Sequence, residues 1–302
     1  MILVIGDILF DHFPNYKRLG GAAFNFAYHL VNLNLPVRFI SRVGKEEDGN
    51  EILKQLRTLR FPISDIQIDD LHPTGKVLVE LTDDGIPNFT ILPNVAYDYI
   101  TFANTISSVL DNQIELIYFG TLAQRNEQGF KTMQKILSRK NPHTKCLYDI
   151  NLRLHCYNKK IIIKSLKQAD VLKLNDEEFD TLKQMMGFGN NTNRFVDYLI
   201  NEYSLEMISL TKGEKGSDLL LKDKRFSAKS DKINNIVDTV GAGDAYAAIL
   251  AIGYQKKWAP EKILAVATEF ASRICEIKGA IPSSKQLYKK YKQVVKDTNP
   301  SK

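Results

Sequence analysis

The chain has 302 residues, 44% hydrophobic and 25% charged, the balance of a folded globular protein large enough for one big domain or two ordinary ones. No stretch approaches the ~18 consecutive apolar residues of a membrane helix, and three cysteines without CxxC spacing, Cys146, Cys156 and Cys275, argue against a disulfide framework or a cysteine zinc site. The net charge of +6 is concentrated at the end: from Lys285 onward six lysines face one acid, Asp297, which reads as a solvated terminal helix and not as a stripe for nucleic acid.

In chain order, the opening Met1-Ile-Leu-Val-Ile-Gly6 reads as a buried first strand, Ile2–Ile5, with none of the features of a leader peptide, so a cytoplasmic location is the expectation. A helix over Ala22–Asn32 follows, then a strand over Val37–Ser41 and a helix over Gly49–Leu59. Thr74–Asn94 breaks this rhythm. Alternating residues flank Asp84-Gly85, a hairpin signal, and a hairpin among helix crossovers must pack away from the main sheet. Strands over Glu115–Phe119, Cys146–Ile150, Val171–Leu174 and Met207–Thr211 then alternate with helices over Gln128–Ser138 and Glu177–Met186. Helices over Gly243–Gln255, Pro260–Ile277 and Gln286–Val295 close the chain. Most strand runs are continuously apolar, as in parallel strands buried on both faces. The whole predicts a single α/β domain over 1–302 with a wound, mostly parallel sheet and a small β excursion.

The run Asp238-Thr-Val-Gly241-Ala242-Gly243-Asp244 leads into Ala-Tyr-Ala-Ala-Ile-Leu-Ala-Ile, a good helix former. A glycine turn feeding a helix presents unpaired N–H groups at the positive end of the helix dipole, where phosphate oxygens are attracted. A Walker A sequence is absent, and a dinucleotide fingerprint fails because Tyr246 stands at its third glycine. The distinguishing feature is the acid. Asp244 is either a favourable helix-start residue or a base beside an anion hole, placed to take a proton from a hydroxyl attacking the γ-phosphate.

Residues 238–244 match the D-T-x-G-A-G-D signature of the ribokinase/PfkB carbohydrate kinases, and Gly20-Gly21-Ala-Ala-Phe-Asn25 resembles the family's first signature. The resemblance covers nearly the whole chain. It implies a ribokinase-like, Rossmann-like three-layer α/β sandwich with a small β lid, built here from about 9–20 and 73–95. It implies ATP and Mg²⁺ as co-substrate and cofactor, with a monovalent cation such as K⁺ near Asp238 and Val240. By the same resemblance Asp244 is the general base and the amides of Gly241, Ala242 and Gly243 form the anion hole. Asp7, Asp11, Gly20, Gly21, Asn25 and Arg153 would line the sugar site; Arg153 stands in Asp149-Ile-Asn151-Leu-Arg153, which resembles a D-x-N-x-R segment of fructokinase-like members. Lys173, Asn175 and Glu178 match a K-x-N-x-x-E segment, in which Glu178 would organise Mg²⁺ through water. Taken alone, Asn175 and Glu178 read as a helix capping box. Thr211, Gly213 and Gly216 match the nucleotide loop, and Gly279 and Ala280 the segment beside the adenine.

The partners implied are a small-molecule sugar and ATP, without nucleic acid or membrane, and a homodimer through the lid occurs in such families. Leu9, where ribokinases place Asn, leans the sugar towards fructose, while Asp7 and Ala23 depart from the usual fructokinase Glu and Pro. Ribose, 2-keto-3-deoxygluconate or a nucleoside stay open as substrates, and a degenerate sugar sensor is the non-enzyme reading. Phe24 and Phe26 are expected in the helix core, with the sugar pocket as the alternative.

Overall fold

The structure, a computed structural model, describes residues 1–81, 87–102, 110, 113–230 and 235–297. Its strands are β1 (Ile2–Ile5), β2 (Leu9–Phe13), β3 (Tyr16–Gly20), β4 (Val37–Gly44), β5 (Ile66–Asp69), β6 (Gly75–Leu81), β7 (Pro87–Ile91), β8 (Leu116–Gly120), β9 (Lys145–Asp149), β10 (Val171–Asn175), β11 (Met207–Thr211), β12 (Ser217–Leu221) and β13 (Lys224–Ala228). Its helices are α1 (Ala22–Asn32), α2 (Glu47–Thr58), α3 (Glu127–Ser138), α4 (Lys159–Leu166), α5 (Asp176–Met185), α6 (Thr192–Tyr203), α7 (Ala242–Gln255), α8 (Pro260–Cys275) and α9 (Leu287–Lys296). The apolar runs read as strands all fall on strands. Strand β5, the β12–β13 hairpin, α4 and α6 are additions to the elements read from sequence.

Among the described residues the main sheet runs β13-β12-β11-β10-β9-β8-β1-β4-β5. β1 pairs in parallel with β4 on one side and β8 on the other, and only the β12–β13 edge is antiparallel. The strands are apolar throughout because each feeds two cores. Ile2 and Val4 of β1 join α1, α7, α8 and α9 on one face, while Leu3 and Ile5 join α3, α4, α5 and α6 on the other. The result is three layers, a sheet with helices on both faces. Phe24 packs against Phe39 and Phe61, and Phe26 stacks on Tyr118 with ring centroids 3.7 Å apart. Both phenylalanines are fully buried in that first core. Helix α9 buries Tyr288, Tyr291 and Val295 and leaves Lys289, Lys290 and Lys296 exposed, so the terminal basicity described here faces solvent. No helix among the described residues is long and apolar enough to cross a membrane.

A second sheet, β3-β2-β6-β7, lies apart from the first. The β6–β7 pair is the predicted hairpin, although its Asp84-Gly85 turn falls outside the described residues. Leu9, Val77 and Val79 of this accessory sheet pack on Val95, Tyr97, Leu122 and Cys156. A buried ion pair secures the junction. Arg125 Nε and Nη2 each donate to a carboxylate oxygen of Asp98 at 2.7 Å, and Nη2 also donates to the carbonyl of Leu92 at 2.6 Å. Removing one member of such a pair strands the other charge in the interior, which costs about 3–5 kcal/mol. Arg125→Met is therefore expected to lower the unfolding free energy by about that amount in urea titrations, and adding Asp98→Asn to recover part of it.

Candidate active site

In a wound sheet, ligands bind beyond the carboxyl ends of the strands where the winding reverses. Here the chain winds outward from β1 in both directions, so that point lies between β1 and β8. Asp7 follows β1 at this place. Its carboxylate accepts the N–H of Ala22 at 2.8 Å and its carbonyl the N–H of Phe24 at 3.2 Å, so Asp7 caps α1 from outside the helix. Gly21 stands at the start of that helix with φ +110, and a Cβ there would sit 2.7 Å from the Asp7 carbonyl oxygen. One turn on, the buried Asn25 donates from Nδ2 to Asp244 Oδ2 at 2.8 Å. Two helix starts, 219 positions apart in the chain, thus meet at one edge of the sheet.

Asp244 lies in the first turn of α7, which Gly241 opens with φ +81. A Cβ on Gly241 would lie 2.2 Å from Ala280 Cβ, so the turn closes against the Gly279-Ala280 segment only with glycine at this position. Gly243 is exposed, and the N–H of Ala242 reaches the Thr239 carbonyl in a long bond of 3.3 Å. Of the three amides expected in the anion hole, that of Ala242 therefore already has an acceptor. Burial pushes the Asp244 carboxyl up to about 7; Asp149 adds to the rise, while the Asn25 bond, Lys173 and Arg153 oppose it.

Beneath this turn lies a buried ion pair. Lys173 Nζ contacts both oxygens of Asp149 at 3.0 and 3.1 Å, and Tyr118 donates to Asp149 at 3.1 Å. Burial alone would lower the Lys173 pKa, but Asp149, Glu178 and Asp244 together leave it raised. The point where a Cβ would stand on Gly243 is 3.7 Å from Lys173 Nζ, so this ammonium sits directly under the turn. Asn175 and Glu178 form the capping box of α5, each side chain accepting the other's N–H at 2.8 Å. Glu178 accepts a second N–H, from Leu152 at 2.8 Å, which fixes the segment that presents Arg153. Burial raises the Glu178 carboxyl, Lys173 opposes this and Asp149 adds to it.

Arg153 is exposed, and its charge is felt at Asp7, Asp11 and Asp244. Asp11 comes in from β2 of the accessory sheet. Burial pushes its carboxyl up to about 6 against the pull of Arg18. Gly20 makes room for it, since a Cβ there would lie 2.9 Å from Asp11 Oδ2. Thr211 and Gly213 stand at the end of β11, with Gly213 at φ +54. Gly216 is required by the fold itself, because a Cβ would come within 2.0 Å of the Ala228 carbonyl on β13. Asp238 accepts the N–H groups of Val240 and Gly279 and an ion pair from Arg18. The residues read from sequence are thus brought to one edge. Three side chains were missed: Asp149 as the partner of Lys173, Tyr118 beneath it, and Arg18. Only Asp149 carried a signal, at the head of its Asp-x-Asn-x-Arg segment.

A model described as the pfkB family carbohydrate kinase matches residues 15–287. A putative sugar kinase of Pyrococcus horikoshii is 27% identical over 250 residues, 80% of this chain and 74% of its own. The fructokinase of Escherichia coli is 27% identical over 266 residues, 83% of each chain. The crystal structure of a fructokinase with bound ATP from Xylella fastidiosa has a TM-score of 0.80 at 18% identity, covering 92% of this chain and 93% of that one, a likeness of fold.

The raised carboxyl of Asp244 sets a stability test. Its folded pKa lies above the unfolded value of 3.8, so the folded state binds the extra proton and loses stability as pH rises from about 4 to 7. Asp244→Asn removes that penalty and keeps an acceptor for Asn25. The variant is expected to be more stable than wild type at pH 8, by about 1–3 kcal/mol. That advantage should shrink steadily on acidification towards pH 4 in chemical denaturation.

Proposed function

The chain belongs to the pfkB family of carbohydrate kinases, and from that premise we propose that it passes the γ-phosphoryl group of ATP to a hydroxyl of an uncharged sugar, fructose foremost. The observation that carries this reading is the 2.8 Å bond from Asn25 to Asp244, which seats a carboxylate of near-neutral pKa beside a glycine turn at a helix start. Asp244 takes the proton as the sugar hydroxyl attacks in line. The amides of Gly241 and Gly243, with the helix dipole behind them, stabilise charge on the phosphoryl oxygens, and that of Ala242 joins them by giving up its long bond to the Thr239 carbonyl. Lys173 adds its positive charge from below, so positioning and electrostatics supply most of the acceleration.

Asp7, Asp11, Gly20, Gly21, Asn25 and Arg153 form the sugar end. Asp7 and Asp11 there, with Asp244 beside them, face one open guanidinium, a balance that suits hydroxyl donors and repels a sugar already carrying phosphate. The likeness to a fructokinase of Escherichia coli, at 27% identity, is what singles out fructose among neutral sugars. Thr211, Gly213, Gly216, Gly279 and Ala280 form the nucleotide end. The accessory sheet of β2, β3, β6 and β7 covers the sugar as a lid and keeps out water that competes for the phosphoryl group.

For Mg²⁺ the donor set fits an ion that arrives with the nucleotide. Glu178 spends one lone pair of each oxygen on N–H groups and keeps the others, and no three His, Cys, Asp or Glu side chains converge into a metal cage among the described residues. Glu178 and Asn175 are the residues that would hold such an ion, through its water shell. Bound there, Mg²⁺ neutralises phosphate charge.

Asp244→Asn is expected to lower kcat by ~10²–10⁴ with little change in KM. Wild-type kcat/KM should rise with pH and level off above about 7, because the base acts only when ionised. Near-normal turnover by the variant refutes the assignment. In a coupled ADP-release assay, fructose should show the highest kcat/KM among fructose, ribose, 2-keto-3-deoxygluconate, fructose 1-phosphate and a nucleoside. A preference for the phosphorylated sugar contradicts the charge argument.

A further inference from the structure

A monovalent metal ion at Asp238 would compete with three donors already on its carboxylate, two on Oδ2 and one on Oδ1, which keeps a single lone pair. Asp238 Oδ1 accepts the N–H of Val240 at 3.0 Å, and Oδ2 accepts the N–H of Gly279 at 2.9 Å and Arg18 Nη1 at 3.1 Å. This one carboxylate therefore holds both segments that close on Gly241: the turn before it and the Gly279-Ala280 strip packed against it. Among the described residues, Arg18 is the cation within ion-pair distance of Asp238.

Arg18 belongs to the other sheet. It lies on β3, directly across from Asp11 on β2. Its side chain leaves the accessory sheet, crosses the aromatic rings of Phe13 and Tyr16 at 5.2 and 5.8 Å, and ends on Asp238, 220 positions along the chain. The approach brings the Arg18 side chain against the backbone on the far side. A Cβ on Gly279 would meet Arg18 Cδ and Nη1 at 2.8 Å, and Gly279 has φ +80. Lys278 reaches back over the Tyr16 ring at 5.0 Å, so the contact is a patch. An ordinary exposed ion pair contributes little and fixes nothing. This one is nearly four-fifths covered, with 21% of each side chain exposed, and shares its acceptor with two backbone donors.

We propose that Arg18 is a positioning residue that supplies the counter-charge of Asp238 from within the chain, in place of a monovalent metal ion, and so ties the accessory sheet to the phosphoryl-transfer turn. A guanidinium suits this task because it never loses its charge and its planar fork fits a carboxylate. Its hydration is also weaker than that of an ammonium. The activity arm of the test rests on the kinase reading; the other arms do not.

Wild-type protein is compared in K⁺ and in tetramethylammonium at equal ionic strength. Its thermal midpoint and its ADP release are expected to change by less than about twofold in rate and not measurably in midpoint. Strong activation or stabilisation by K⁺ overturns the proposal. Arg18→Ala is then followed by amide hydrogen exchange. Faster exchange in residues 9–20 and in 236–244 together is the expected result, with Arg18→Lys retaining much of the protection. A change confined to 9–20 overturns the coupling. For activity, Arg18→Ala should lose about tenfold or more in kcat, and millimolar guanidinium or K⁺ should restore part of it. A loss that neither cation restores assigns Arg18 a purely structural role and overturns the counter-charge. If wild type phosphorylates no sugar, the kinase reading fails while the exchange and K⁺-stability results still decide this one.

Discussion

The hydrogen bond from Asn25 to Asp244 joins the starts of α1 and α7, and the rest of the site depends on both helices beginning at the same edge of the sheet. Each start needs its own device. Asp7 and Gly21 set the first, and Gly241 closing on Ala280 sets the second. Neither helix is held by its sequence alone, since α1 and α7 are almost entirely buried and receive their position from the core between them. A carboxylate at the meeting point is desolvated by the same packing that locates it. Its shift towards neutral pKa is thus a by-product of the architecture, and the Asn25 bond moderates that shift.

Much of this was legible in the sequence because the signals are physical. Ala22–Asn32 was bounded correctly from its apolar run, and the strand cores from their continuous β-branched stretches. The glycine turn before Asp244 announced a helix start with open amides, and the family motifs then gave its residues roles. What was not legible was partnership. Nothing local to Lys173 says that it is buried against Asp149, and nothing near Arg18 points to Asp238. Such pairs are made by strand order, which brings β9 beside β10 and the accessory sheet over the turn. The segments α4 and α6 were missed for a different reason. Asn158 and Asn191 cap them through side-chain acceptors, but their polar flanks dilute the apolar period.

The glycines separate into two kinds once atoms are in view. Gly216 and Gly241 are glycine because neighbouring atoms leave no space for a side chain, and both have positive φ. Gly243 has room around it and is exposed, which fits a position kept bare for an approaching ligand. A motif reading treats these alike, whereas steric contact distinguishes fold requirement from access.

The central strands contribute alternate side chains to two separate cores, and this has a consequence for how the gene can change. Inserting or deleting a single codon within β1, β8, β9 or β10 would exchange the inward sets of both layers at once, with no compensating slide available. Substitutions can accumulate gradually in either layer, because the sheet isolates one from the other. Changes of length are confined to the rim, such as the β12–β13 hairpin, where one edge of the sheet ends. Descent with modification in such a fold should therefore proceed by replacement at the centre and by growth or loss only at the margins.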